Sequence, residues 1–321
     1  MRAWQLERWS IDSLRLVDRP RPSPGPGQVL LRMKAASLNY RDLIVPRRGY
    51  GSQTGDLPLV PVSDGVGEVV EIGPGVTGIS PGERICPPFF DRGRSRGGPQ
   101  EGVMQEFLRV DEKDAFRAPA HLTDEEAAAL PCAALTAWTA VVVEGRAKPG
   151  DSVLVQGTGG VSLFALLFAK LCGARVTVVS GSDEKLARAK ALGAEDGLNY
   201  RTTPEWGKET RGHDLVIDVG GAHSVLQSLR AVRARGAICL IGVVSGQEVS
   251  LPLGPIVTRH VRLQGVTVGT AEGFADMLRA VERHRLKPVV DRVFDFDALP
   301  AALEHLASGA HFGKICLAFP R

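Results

Sequence analysis

Apolar and polar positions alternate at period two over Gln28–Ala35 and again over Gly65–Ile72. That spacing is the mark of half-buried strands. The Pro- and Gly-rich stretch Pro20–Gly27 precedes the first, and Gly73-Pro74-Gly75 closes the second. A turn over Ile79–Glu83 leads into a further strand at Arg84–Pro87. Short strands between Gly and Pro turns predict a small barrel or sandwich over the first 110 or so residues. Residues 88–103 carry no period and predict a long loop, with Arg92, Arg94 and Arg96 solvated. At Thr123-Asp124-Glu125-Glu126 a cap residue followed by acids starts a helix. From there to residue 269 short apolar runs alternate with amphipathic ones. Strands are expected at Ser152–Gln156, Arg175–Ser180, Asp214–Val219, Ala237–Val243 and Val261–Val268. Helices are expected at Val161–Cys172, Asp183–Leu192 and Ser224–Arg233. This alternation predicts a parallel sheet with helices on both faces. Two helices, Gly273–His284 and Leu299–Ser308, and a strand Lys314–Ala318 complete the chain. The tetrapeptide Leu-Asn-Tyr-Arg occurs at 38–41 and 198–201, but its flanks differ and it reads as chance.

A length of 321 residues favours two domains. The net charge of +3, with both signs interspersed, forms no basic stripe for nucleic acid. No apolar run approaches the roughly 18 residues that span a bilayer. Met1–Arg8 lacks the apolar core of a signal peptide, so a cytoplasmic protein is expected. The five cysteines, at 86, 132, 172, 239 and 316, include no close pair, and the first of seven histidines is His121. Neither a disulfide framework nor a metal site is expected.

The strand Ser152–Gln156 runs straight into Gly157-Thr158-Gly159-Gly160-Val161-Ser162 and a helix. A tight turn wants Gly, close approach of backbone to pyrophosphate wants another, and the helix N-terminus offers free N–H groups. Ser162 stands where a third Gly is usual. Gly157, Thr158, Gly159, Gly160 and Val161 are therefore candidate dinucleotide contacts. The acid expected at the tip of the second strand is missing, because the tip is Val179-Ser180-Gly181-Ser182. A carboxylate there would repel a 2′-phosphate. Ser180 and Ser182 can donate to one and Lys185 can supply charge, which favours NADP(H) over NAD(H). On its own, Lys185 reads rather as part of a solvated helix face.

Together with Ala35–Asp42 (AASLNYRD), Gly65–Gly67, Leu130–Trp138 (LPCAALTAW) and His311–Lys314 (HFGK), these residues resemble the medium-chain dehydrogenase/reductase superfamily. The similarity is closest to its zinc-independent, quinone oxidoreductase-like branch. It covers essentially the whole chain. It implies a Rossmann-type doubly wound parallel sheet, an α/β fold, inserted in a GroES-like β-rich catalytic domain. The expected division is 1–122 plus 270–321 for the catalytic domain and 123–269 for the dinucleotide-binding domain. By resemblance the Cys, His and Cys ligands of zinc-bearing members fall on Asn39, Ser63 and Cys132. A four-cysteine lobe would fall near 88–103, which holds no Cys. Cys132 then reads as a small buried residue. Tyr200 is implied to border the adenine phosphate, and Gly242-Val243 the nicotinamide carboxamide. Lys314 is typical of the family without an evident role. A homodimer is implied, with the edge strand Leu263–Val268 as the candidate interface.

Without zinc no Lewis acid polarises a carbonyl. The reaction expected is transfer of a hydride from NADPH to a quinone or an activated alkene, an enone or enal. A metal-free alcohol dehydrogenase and an NADPH-binding sensor with little catalysis are the alternatives. Asn39 and Tyr40 are the catalytic candidates, as donors to a developing oxyanion; Tyr40 reads equally as a pocket wall. Asp42, with no ligand to orient, reads as a structural hydrogen-bonder. Phe89 and Phe90 either line an apolar acceptor pocket or pack at the base of the loop.

Overall fold

The computed structural model describes residues 1–320. The chain divides into two compact units, Met1–Ala133 with the residues from Thr270 onward, and Ala134–Gly269. The division falls eleven residues later than the helix start at Thr123 suggested. That helix, Asp124–Ala128, does begin with a capping box between Thr123 and Glu126. It packs, however, on the strands Gln28–Ser37 and Asp64–Ile72, and packing outweighs the change of sequence period.

The first unit is built on a seven-stranded sheet. Val290–Asp295, Lys314–Ala318, Gln28–Ser37, Asp64–Ile72, Arg84–Cys86 and Phe116–Arg117 lie in that order, and Phe107–Asp111 also pairs with Gln28–Ser37. The alternation of Gln28–Ser37 sends Val29, Leu31 and Met33 into a core shared with Val69, Ile85, Val110 and Leu317. Each such aliphatic side chain contributes roughly 1.5–3 kcal/mol. Register decides what meets at the far end of this strand. Asp64 lies opposite Ser37 on one side, and Cys316 lies opposite it on the other. The pairing with Lys314–Ala318 continues through Leu38, whose N–H donates to the Ile315 carbonyl. Asn39, Asp64 and Lys314 are thus gathered from three distant stretches of sequence.

Residues 88–103 are more ordered than their lack of period suggested. Phe90–Asp91 and Arg94–Ser95 form a short hairpin. Arg96 is buried rather than solvated: it pairs with Asp91 at 3.5 Å, and its Nε donates to the Pro88 carbonyl. The guanidinium of Arg41 holds the return of the loop, donating to the carbonyls of Arg96 and Gly98 at 2.8 Å each. Phe89 is buried beneath this guanidinium, whereas Phe90 is exposed.

The second unit is a parallel sheet of six strands in the order Asp196–Asn199, Arg175–Ser180, Ser152–Gln156, His213–Asp218, Val232–Leu240 and Arg262–Gly265. Counted within the unit this is 3-2-1-4-5-6, the doubly wound order, whose strand direction of growth reverses beside Ser152–Gln156. The strand expected at Ala237–Val243 stops at Leu240, after which only the Ile241 N–H still bonds to Asp218. The last strand pairs only over Arg262–Gly265, shorter than expected, and it is the sheet's edge. Among the described residues no helix is long and apolar enough to cross a membrane, and the cysteines form no disulfide.

Candidate functional site

Ligands of doubly wound sheets lie at the carboxyl ends of the strands, at the switch point. The sequence candidates of the second unit converge there. Gly157 follows Gln156 at φ +76°, a left-handed conformation that L side chains rarely adopt, and its N–H bonds to the Val179 carbonyl at 2.7 Å. Thr158 is buried behind it. Gly159 is the cap of the helix Gly160–Leu171, and no side chain caps that end. The first-turn N–H groups, Val161 among them, and the positive end of the dipole are left for an anion. Ser162 takes the third Gly position without loss, because its Oγ donates to the Gln156 carbonyl at 2.6 Å and ties helix to strand.

Ser180 ends the second strand and is buried. Ser182 caps the next helix by accepting from the Lys185 N–H, so part of its hydroxyl is committed locally. Tyr200 and Arg201 lean over the tip. A Cβ at Gly181 would stand 2.6 Å from the Tyr200 Oη and 3.1 Å from the Arg201 Nε. Arg201 brings a guanidinium that the sequence reading passed over, since it belongs to the repeated tetrapeptide dismissed as chance. Gly242 and Val243 lie beyond the strand end, in a loop where Val243 is exposed. That loop is held through Ser245, whose Oγ donates to the Gly220 carbonyl. Asp218 anchors the neighbouring turn. Its buried carboxylate accepts from the N–H groups of Gly220 and Gly221 and from the hydroxyls of Ser224 and Ser228, the latter two at 2.6 Å. Nothing in the sequence marked it, because a strand-terminal Asp is common in any turn. The open helix end, the left-handed Gly157 and the cations at the second strand tip fit a dinucleotide phosphate.

The second set of candidates lies within the first unit. Lys314, 3% exposed, donates to the Leu38 carbonyl and to the Asn39 Oδ1, the latter at 2.6 Å. The Asn39 Nδ2 reaches the Ser63 Oγ at 3.4 Å, and Ser63 donates to the Asp64 Oδ1 at 2.7 Å. The other oxygen of Asp64 accepts the Cys132 N–H at 2.9 Å. Burial raises the Asp64 carboxyl pKa above the ordinary range, and the Lys314 charge opposes that shift. Asp42 steadies the entry to this chain by accepting the Asn39 N–H at 2.7 Å. Its own carboxyl is pushed up to about 6 by burial, against the nearby Arg41 charge. The other Asp42 oxygen, Oδ1, is buried and makes no hydrogen bond. Tyr40 precedes the short helix Arg41–Ile44 and stays 48% exposed, outside the chain of bonds.

This donor set does not suit zinc. The Asn39 oxygen faces an ammonium, the Ser63 hydroxyl is spent on Asp64, and burial pushes the Cys132 thiol pKa up, away from the thiolate a zinc site needs. Among the described residues no three or more His, Cys, Asp or Glu side chains are grouped to hold a metal ion. Neither Asp64 nor Lys314 was singled out as a site residue in the sequence. Their partners lie far away along the chain, and only the strand register brings them together.

Comparison with known proteins gives two family matches. Residues 160–283 match the model described as a zinc-binding dehydrogenase, and residues 25–120 that of the alcohol dehydrogenase GroES-like domain. A zinc-type alcohol dehydrogenase-like protein of Schizosaccharomyces pombe is 41% identical, over 91% of each chain. Among solved structures, one described as an NAD-dependent alcohol dehydrogenase is 37% identical with a TM-score of 0.93, covering 99% of both chains. The quinone oxidoreductase of Coxiella burnetii is 27% identical with a TM-score of 0.84, again over 99% of both.

Proposed function

Since the chain belongs to the medium-chain dehydrogenase/reductase family, among its alcohol dehydrogenase and quinone oxidoreductase-like members, and is an NAD(P)H-dependent oxidoreductase, we propose that it is a zinc-independent reductase. In this reading it uses NADPH to reduce a quinone or an activated alkene. One observation carries it: the positions that the resemblance assigns to zinc ligands hold Asn39, Ser63 and Cys132, and the first two are joined to Asp64 and Lys314 by hydrogen bonds that leave no open donor set.

Alcohol oxidation needs a Lewis acid or base to develop an alkoxide. An electrophilic acceptor needs only a donor for the negative charge it gathers. Asn39 is that donor, through its amide N–H, and Tyr40 walls or supplements it. NADPH, when bound, supplies a hydride. The residues that would hold it are Gly157, Thr158, Gly159, Gly160 and Val161 for the pyrophosphate, and Ser180, Ser182, Lys185, Tyr200 and Arg201 for the 2′-phosphate. Gly242 and Val243 would serve the nicotinamide end. We further propose a homodimer formed across the edge strand of the second unit.

The test is a panel of quinones, enones, enals and secondary alcohols with NADPH and NADH, run alongside metal analysis. Reduction of a quinone or enone by metal-free protein, unaffected by chelator, is expected. Asn39→Ala should lower kcat by about 10²-fold. Stoichiometric zinc, or alcohol oxidation abolished by chelator, would sink the reading. Tight NADPH binding with no turnover anywhere on the panel would favour the sensor instead.

A further inference from the structure

Lys314 is a lysine buried at the start of a strand, with its ammonium against the Leu38 carbonyl and the Asn39 amide oxygen. A buried ammonium is costly unless it is compensated. Here the nearby buried acid is Asp64, linked to it through Asn39 and Ser63.

The direction of every hydrogen bond along this chain is fixed by its two ends. The Ser63 hydroxyl donates to the Asp64 Oδ1, so its hydrogen is committed at that end. The Ser63 oxygen must then accept, which turns the Asn39 Nδ2 toward it. The Asn39 Oδ1 is thereby turned to Lys314, whose ammonium only donates. A donor-only ammonium at one end and a hydroxyl already donating to Asp64 at the other leave the amide a single orientation. Drawing electron density from the amide oxygen also makes the N–H groups better donors.

We propose that Lys314 is the resident cation of this site and the positioning residue for Asn39, doing with a fixed ammonium what a metal does in zinc-bearing relatives: setting charge and orientation. The inference rests on the role proposed above for Asn39. It adds that Asn39 serves as a donor only while Lys314 holds its oxygen.

The sequence offers a clean probe, because Asn39 and Asn199 are the only two asparagines in the chain. Protein labelled with ¹⁵N-asparagine gives just two side-chain NH₂ pairs, and an Asn199→Asp variant assigns them. In Lys314→Met the Asn39 pair should move by several linewidths and exchange faster with solvent, while the Asn199 pair stays put. Lys314→Arg, which keeps a donor-only cation, should leave the Asn39 pair near its original position. If the Met variant does not fold, the Arg variant decides: an Asn39 pair displaced and exchange-broadened there too would overturn the proposal. An Asn39 pair unmoved in Lys314→Met would also overturn it.

Kinetics supply an independent arm. Lys314→Met should lower kcat by about 10²-fold, with the Kd for NADPH changed by less than about twofold. Because Lys314 acts through Asn39, the double variant Asn39→Ala/Lys314→Met should be no slower than Asn39→Ala alone, within about twofold. A double variant slower by the full product of the two single effects would show that Lys314 does not act through Asn39. The spectra need neither cofactor nor acceptor. Failure to reduce any quinone or enone would therefore sink the proposed reaction while the NH₂ pairs still decide the place of Lys314.

Discussion

Asp42 shows how a single buried oxygen can govern a pH response. One oxygen accepts the Asn39 N–H while Oδ1 has no hydrogen bond, and burial pushes its carboxyl up to about 6. The folded state therefore holds a proton that the unfolded chain has already released between about pH 4 and 6. Stability from this group is full below pH 4 and is lost as pH rises through 6, by on the order of 3 kcal/mol. Asp42→Asn keeps an oxygen for the Asn39 N–H and removes the titration. Denaturant titrations of both proteins from pH 4 to 8 should show the variant gaining relative stability up to about pH 6, then a constant difference. Parallel curves throughout would contradict the assignment. At this scale the sequence was only partly legible. Asn39 stood out as one of two asparagines, but Lys314 was marked only as typical of the family, with no role to connect it to Asn39. Arg96 looked solvated because charge is the usual guide to exposure, and a local pairing with Asp91 and the Pro88 carbonyl reversed that.

Elements read well wherever periodicity and caps agree. The strands Ser152–Gln156, Arg175–Ser180 and Lys314–Ala318 and the helix Leu299–Ser308 fall where the pattern put them. The misreadings came where tertiary contact decides. The helix Asp124–Ala128 joins the first unit by packing, and Val232–Leu240 ends before Gly242 because the chain turns over the Val219 carbonyl, 2.2 Å from where a Cβ on Gly242 would lie. The strand tip at Ser180 carries its own prediction. Tyr200 and Arg201 reach over Gly181, so a carboxylate introduced at the tip would pair with the guanidinium and repel a 2′-phosphate. Ser180→Asp should shift the kcat/KM ratio from NADPH toward NADH by roughly tenfold or more. An unchanged ratio would place the phosphate elsewhere.

For the whole molecule the question is association. The edge strand Arg262–Gly265 is short but has a neighbour on one side only, and an open edge invites a partner. Just before it in sequence, the helix Leu253–Thr258 leaves Leu253 and Val257 each 70% exposed. Isolated apolar residues of this kind are ordinary, but two on one short helix preceding an open edge favour a second copy of the chain. Light scattering should give a dimer, and Leu253→Asp with Val257→Asp should shift it toward monomer without loss of helix content. A monomeric wild type would remove the idea.

The split of the first unit along the chain has a consequence for how the protein is made. Lys314–Ala318, the strand that brings the ammonium to Asn39, emerges from the ribosome long after Asp42 and Asp64. At ordinary translation speed the delay is on the order of tens of seconds. The inserted sheet of Ala134–Gly269 is contiguous and can fold while the nascent chain still lacks its tail. The carboxyl groups that end buried have no ammonium to meet until then, so they stay hydrated and that corner of the first sheet stays open. Docking of the last strand is thus the step that dries the site and gives it its charge balance. A nascent chain stalled short of residue 314 should hold the Ala134–Gly269 sheet finished while that corner of the first sheet is still open.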